Sequence, residues 1–417
     1  MNLAGLRVAV GEFLFAALSR LLATPTGWLV PRDPRLWVVL GREHGRYIDN
    51  AKYFHAWLHG NLPAGHRVVF VGERQDELSQ VEAAGGHVAH YPGWRAFWLL
   101  LRASTVVCDT ADAIDHGRIG LMAGARRVQI WHGAPLKEIE LPLHRRRLAA
   151  LPAVLRPALR LQKFVLGRYA PWDFLVSTSD YFTRHAFSAC LPARRIVASG
   201  YPRNDMLFGA DGYPPALLRV NVDESAAACL AAHRAAGGRV VLYAPTFRAD
   251  GGSPFAAHID LTRLSDFARR RNLLVALKLH PVMAGRYAVD ACPGVVEIAA
   301  ASDVYPLLPS VDVLVTDYSS IFFDFLLLDR PLVFYPYDLD RYVADERRLL
   351  FPYEEMTPGP KVATFDELLA AVGDAVTGSD DRWLEQRRRV RELAFDGRDG
   401  HASRRLAQAL AAPGVTP

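Results

Sequence analysis

The sequence predicts an α/β protein made of two parallel, doubly wound sheets. Three observations lead there: short apolar runs alternate with helical patterns from Leu36 onward, the alternation restarts once after a Gly/Pro/Asp-rich break, and half of the 417 residues are hydrophobic. Strands separated by helix-length segments bury both sheet faces and therefore run parallel. At roughly 150 residues per domain, the length suits two or three domains.

Leu3, Leu6, Val10, Phe13, Ala17 and Leu21 recur at helical spacing and predict an N-terminal amphipathic helix. Such a helix can pack on the protein or lie on a membrane, and its periodicity does not choose. The first series of strands is expected at Leu36–Leu40, Arg67–Val71, His87–His90, Thr105–Cys108, Val128–Trp131, Phe174–Ser177 and Arg195–Ser199. The second is expected at Val240–Tyr243, Leu273–Lys278, Val295–Ile298, Val311–Thr316 and Leu332–Tyr335. The expected organisation is an N-terminal helix region (1–33), a first Rossmann-like lobe (34–208), a linker (209–225), a second such lobe (226–377) and C-terminal helices with a tail (378–417). A cleft between two such lobes is a frequent setting for nucleotide-dependent group transfer.

Neither GxGxxG opening a helix nor GxxxxGK[ST] occurs, which argues against dinucleotide hydride transfer and Walker-type hydrolysis. The four cysteines form no CxxC or Cys/His pattern, so a disulfide framework or zinc site is not expected and a reducing compartment fits. No apolar run reaches the roughly 18 residues that a membrane span needs, and Met1–Val30 lacks a signal-peptide pattern.

Polar residues gather where the strands end, the edge at which open α/β sheets bind ligands. Trp131-His132-Gly133-Ala134-Pro135 follows one strand, and a histidine on such a loop can serve as a general base. A turn histidine that only bonds backbone is the simpler account of an isolated His-Gly pair. Lys278-Leu279-His280-Pro281 closes another strand and suits a phosphate oxygen, although a basic strand end is common without any ligand. Asp317-Tyr318-Ser319-Ser320 precedes the apolar helical stretch Ile321–Leu328, and two hydroxyls at a helix start can hold an anion or merely cap the helix. Thr246 and Arg248 leave a further strand, with Arg248 able to fork onto phosphate. Asn204 and Asp205 leave another and can receive a hydroxylated ligand, with an Arg203–Asp205 salt bridge as the plainer account.

WHGAPLK, GYPRND, LYAPTFR, LKLHP, VDVLVTDYSSIFFDFLLLDRPLVFYPYDLDRY and EEMTPGP, in that order, resemble the CDP-glycerol glycerophosphotransferases, the teichoic-acid primases and polymerases with their capsule-synthesis relatives. GRYIDNAKYFHAWL also looks like the family's N-terminal element, so the resemblance covers about Leu36–Pro360. It implies a GT-B fold, two Rossmann-like lobes facing a central cleft, and a membrane-surface enzyme moving glycerol phosphate from CDP-glycerol to a polyprenyl-linked saccharide or growing polymer. By the same resemblance His132 is the candidate catalytic base, and His280, Ser319 and Ser320 belong at the donor pyrophosphate. Lys278, Arg248, Thr246 and Asp317 are expected around that donor. Asn204, Asp205, Gly133, Asp49 and Asn50 are candidate substrate contacts. Ala134 and Phe247 stand where the family commonly has Thr and Trp. No acidic pair sits convincingly at a strand end, since Asp338-Leu339-Asp340 follows a YPY turn, so no essential metal and no cofactor are expected.

The segment His144–Tyr169 carries Arg145, Arg146, Arg147, Arg156, Arg160, Lys163 and Arg168 without one Asp or Glu. Apolar residues are interleaved, and Pro152 and Pro157 divide it into short helices. This predicts docking on an anionic membrane surface at the cytoplasmic face, with a solvated helical hairpin as the plainer account. Nucleic-acid binding is not expected, because its recognised motifs are missing. Two alternatives stay open: a CDP-ribitol or other activated polyol or sugar donor, and a non-catalytic membrane-bound subunit. Primase is favoured over polymerase on size alone. Acceptor identity, pathway and oligomeric state are not legible.

Overall fold

The structure, a computed structural model, describes residues 3–111, 118–165, 167, 169–246, 258–280, 289, 292–345, 348–378 and 381–411. Arg248 and Arg168, both expected to bind, lie outside the described residues. The chain forms two compact units, one of residues 1–132, 139–220 and 399–417, the other of 133–138 and 221–398.

The first unit holds a seven-stranded sheet of order β3-β2-β1-β4-β5-β6-β7, all parallel. Its strands are β1 (Asp33–Leu40), β2 (Arg67–Gly72), β3 (Val88–His90), β4 (Ala103–Cys108), β5 (Arg126–Gln129), β6 (Trp172–Val176) and β7 (Ala193–Val197). The second unit holds β8 (Arg239–Tyr243), β9 (Leu273–Leu277), β10 (Val295–Glu297), β11 (Val313–Thr316) and β12 (Leu332–Phe334) in the parallel order β10-β9-β8-β11-β12. Each sheet therefore reverses its winding once, between β1 and β4 and between β8 and β11. In doubly wound sheets this switch point, at the carboxyl ends of the strands, is where ligands bind. The inner strands β4, β9 and β11 are almost wholly buried, as an apolar run covered by helices on both faces requires, while the edge strands β7 and β10 are half-buried or exposed.

Helices that matter for the site are α1 (Leu3–Leu29), α2 (Asp49–Asn61), α3 (Trp94–Arg102), α4 (Glu140–Ala149), α5 (Arg156–Val165), α6 (Ile321–Phe325) and α7 (Ala402–Ala411). A single turn, Ala153–Leu155, separates α4 from α5, where Pro152 and Pro157 interrupt the helical pattern. On α1, Gly27 approaches the backbone at Gly120 and Ala123 so closely that a Cβ there would lie 3.0 Å from both carbonyl oxygens. Arg32 ties the end of α1 to α3 by donating to the Gly27, Leu100 and Ala103 carbonyls. Phe13 and Ala17 are half-buried, but Leu21 of the expected packing face is exposed together with Leu14, Leu18, Leu22 and Leu29. The helix thus packs along one side and leaves leucines outward along another.

The last helix, α7, belongs to the first unit. Its first amides, at Ala402 and Ser403, donate to the buried Asp205 carboxylate at 2.8 and 3.0 Å, and Tyr213 Oη adds a third donor at 2.7 Å. Asp205, expected as a substrate contact, thus places its oxygens on a helix start.

Candidate active site

In the first unit the polar groups converge on the loop after β5. Gln129 ends that strand, and its Oε1 accepts the Trp131 amide at 2.9 Å. Trp131 adopts a left-handed backbone, φ 51°, a conformation that costs an L-residue roughly 1–2 kcal/mol. Strain of this kind persists only where the surroundings over-determine it. Asn50, fully buried, supplies one constraint: its Nδ2 donates to the Trp131 carbonyl at 2.8 Å, while its Oδ1 accepts the Arg203 amide at 3.1 Å. Arg203 supplies another, its guanidinium donating to the His132 carbonyl at 2.8 Å and to Asp49 Oδ1 at 2.5 Å. Asp49, itself left-handed at φ 58°, also receives Arg42 on Oδ2 at 2.6 Å.

Asp49 and Asn50, expected as substrate contacts, are buried groups that clamp the main chain on both sides of His132, Asp49 through Arg203. Arg203 pairs with Asp49 and not with Asp205, because the Asp205 carboxylate is occupied by α7 and Tyr213. Burial by itself would raise the Asp49 carboxyl, but Arg203 and Arg42 more than offset it and hold it below the usual carboxylate range. Asp109, wholly buried after β4, goes the other way: burial and the neighbouring Asp49 charge raise it well above that range.

His132 is half-buried, and its Nδ1 lies 3.1 Å from the Asp109 carbonyl oxygen. A carbonyl only accepts, so this bond puts the ring proton on Nδ1 and leaves the Nε2 lone pair open. Burial, reinforced by Arg42 and partly countered by Asp49 and the Asp109 carbonyl, lowers the imidazole to about 4. The ring is neutral near pH 7 and able to accept a proton. Gly133 follows with φ 154°, a backbone setting that L side chains rarely adopt. Asn204 is buried, and neither side-chain amide atom finds a partner among the described residues.

In the second unit, Thr246 after β8 and Asp317 after β11 meet across the switch point. The Thr246 amide donates to both Asp317 oxygens at 2.9 and 3.1 Å, and the Tyr318 amide donates at 2.5 Å. Asp317, expected around the donor, thus organises the loop through these amides, and a carboxylate directly beside a phosphate would repel it. The Lys278 ammonium, expected at the donor, donates to the carbonyls of Ala299, Ala300 and Ser302 at 2.7, 3.0 and 2.8 Å and so fastens the turn after β10. His280 is exposed at the end of the β9 segment. Ser319 and Ser320 are half-buried just before α6, and Ser320 makes no side-chain cap bond there. Among the described residues no hydroxyl bond is recorded for either serine, so capping does not account for the pair.

Two parallel doubly wound sheets in one chain, each with its polar residues at the carboxyl ends of the strands, define the GT-B class of transferase folds. Solved structures of the wall teichoic acid polymerase TagF share that fold with TM-scores of 0.73 and 0.70 at 20% identity, over 96% of this chain and 92% of theirs. A glycotransferase of kitacinnamycin matches at 0.54 and 15% identity, over 91% of this chain and 99% of that one. The chain belongs to the CDP-glycerol:poly(glycerophosphate) glycerophosphotransferase family, whose profile matches residues 22–412. It is 30% identical over 257 residues to the teichoic acid poly(glycerol phosphate) polymerase of Bacillus subtilis, a match covering 59% of this chain and 32% of that polymerase. It is 29% identical over 296 residues to the teichoic acid glycerol-phosphate transferase of Staphylococcus aureus, over 68% and 70% of the two chains. The ribitol-phosphate polymerase TarK of Staphylococcus aureus is 29% identical over 221 residues, 52% of this chain and 40% of the polymerase. The chain spans about a third of the Bacillus subtilis polymerase in these matches.

Proposed function

We propose that the protein transfers glycerol phosphate from CDP-glycerol to a hydroxyl of a lipid-linked acceptor at the cytoplasmic face of the cell membrane, releasing CMP. The observation that carries this reading is His132: neutral, with its proton on Nδ1, and held by a loop that four buried side chains keep in place. In the step envisaged, the acceptor oxygen attacks the phosphorus bearing glycerol and gives its proton to His132 Nε2. The bond from that phosphorus to the bridging oxygen breaks, and CMP leaves with the oxygen and the electron pair. His280 and the free hydroxyls of Ser319 and Ser320 would stabilise charge on the transferred phosphoryl group and on CMP, with Arg248 and the field of Lys278 alongside.

Membrane docking is supported by where the apolar side chains stand. The large hydrophobic residues exposed among the described residues all lie in the first unit, on α1, on α3 (Trp94 and Trp98), at Val154–Leu155, on α5 (Leu161 and Phe164) and at Phe208. Arg20 joins α1 to α5, donating to the Phe164 carbonyl and lying 4.8 Å from its ring centre. Exposed apolar side chains rimmed by Arg145, Arg146, Arg147, Arg156, Arg160 and Lys163 suit an anionic lipid surface, where each cation contributes about 1 kcal/mol. No helix among the described residues is long and apolar enough to cross a membrane.

A second reading keeps this chemistry and changes the donor to CDP-ribitol, since ribitol-phosphate polymerases match at 29% and 30% identity, over 52% and 56% of this chain, against 29% over 68% for the glycerol-phosphate transferase. Incubation with a lipid-linked disaccharide and either donor separates them: CMP from CDP-glycerol supports the first reading, and CMP from CDP-ribitol alone supports the second. Release from neither would favour a non-catalytic subunit, which the presence of both His132 and His280 argues against.

A further inference from the structure

Between α4 and α5 lies a cavity of about 720 Å³, lined among others by Leu148, Leu161 and Phe164 and by Arg145, Arg156 and Arg160. Its two kinds of wall differ sharply. Leu161 and Phe164 are exposed apolar side chains at the opening, continuous with the apolar surface of α1 through the Arg20–Phe164 contact. The cationic wall contains no acid. Arg156 is fixed by donating to the Leu151 and Ala149 carbonyls. Arg145 and Arg160 have no ion-pair or hydrogen-bond partner among the described residues, and their guanidinium groups are open to a ligand.

We propose that this cavity is a binding site for the diphosphate that joins a long-chain lipid to its saccharide, the apolar chain lying along Leu148, Leu161 and Phe164. The assignment rests on the reading of a lipid-linked acceptor and locates the point where the lipid end of that acceptor is held. Charge matching favours such a head over a phospholipid. Three guanidinium groups face one cavity, a diphosphate bridging lipid and saccharide carries two negative charges, and a phosphodiester headgroup carries one. Planar guanidinium also suits bidentate contact with phosphate oxygens. A cavity with an apolar wall and a few convergent charges is the usual form of a specific ligand site, whereas a membrane surface requires only an open charged face.

The test measures binding of dodecyl phosphate below its micellar concentration to the full chain by calorimetry, beside inorganic phosphate and dihexanoyl phosphatidylglycerol. Dodecyl phosphate should bind at least about tenfold more tightly than either. Arg145→Gln and Arg160→Gln should each weaken it about tenfold or more, as expected for a charge-assisted hydrogen bond. Ala149→Trp keeps every charge and fills the cavity from its rim, and it should weaken binding while leaving attachment to anionic vesicles unchanged. Arg95→Gln, an equal charge loss elsewhere on the first unit, should have no effect. Equal binding of inorganic phosphate would overturn the lipid assignment, and equal binding of phosphatidylglycerol would overturn the preference for a doubly charged head. Full dodecyl phosphate binding by Ala149→Trp would overturn the site itself. CMP release with a soluble acceptor, measured in parallel, reports on the transfer reaction separately, so loss of one proposal is distinguishable from loss of the other.

Discussion

Replacing Asn50 with alanine tests the clamp behind His132. The side chain makes two buried bonds, from Nδ2 to the Trp131 carbonyl and from the Arg203 amide to Oδ1. Alanine leaves one carbonyl and one N–H unsatisfied, at about 1–3 kcal/mol each, so the loss is about 2–6 kcal/mol. The Trp131 backbone, left-handed at 51°, loses one of the bonds that oppose its strain and relaxes. His132 moves with it, and a displacement of 1 Å in a catalytic group costs about a hundredfold in rate. Asn50→Asp keeps the acceptor for Arg203 but turns an acceptor toward the Trp131 carbonyl, so its rate should fall as far as that of alanine. The assay is CMP release from the activated polyol donor, paired with a thermal melt of each variant. A melt several degrees lower with kcat down about a hundredfold is expected. An Asn50→Ala protein with parental melting and kcat within threefold of the parent would refute the clamp.

Three further outcomes follow from the same geometry. His132 and His55 are lowered to about 4 and about 3, in each case chiefly by burial, against an unfolded value of about 6.5. Between 6.5 and about 4 the unfolded chain binds more protons, so stability falls as pH falls through that window; His132→Asn should flatten this part of the melting-temperature profile, and an unchanged slope would contradict the assignment. Asp109 acts on His132 through its main-chain carbonyl, while burial and the Asp49 charge push its carboxyl well above the usual range, so Asp109→Asn should leave kcat within about threefold and stability within about 1 kcal/mol; a rate loss above tenfold would show that its charge is used. Changing Arg145, Arg146 and Arg147 to Glu should move the protein from the membrane to the soluble fraction on sedimentation, and unchanged sedimentation would count against docking through this segment.

The twelve strands stand close to where the apolar runs predict, because a strand buried on both faces must be a nearly unbroken apolar stretch. The expected end of β5 at Trp131 fails for a local reason: Gln129 caps the Trp131 amide and Trp131 turns left-handed, so the ladder cannot continue. His132 was legible as a candidate from its place after a strand. The roles of Asp49, Asn50 and Asp205 were not, since their partners lie far along the chain: Asn50 meets Trp131, Asp49 meets Arg203, and Asp205 meets Ala402. A polar residue at a strand end reads the same whether it faces a ligand or another loop. Arg42 and Asp109 belong to no motif, although an ionisable residue directly following a buried strand, as Asp109 follows Cys108, is a usable signal.

The most direct test of the account is the base itself. His132→Asn keeps a polar side chain of similar reach but cannot accept a proton as imidazole does. With the activated polyol donor and a lipid-linked acceptor, CMP release should fall by about 10²–10⁴, while the melting temperature at pH 7.5 stays near the parent's. A variant that still releases CMP at more than a tenth of the parental rate would contradict His132 as the general base.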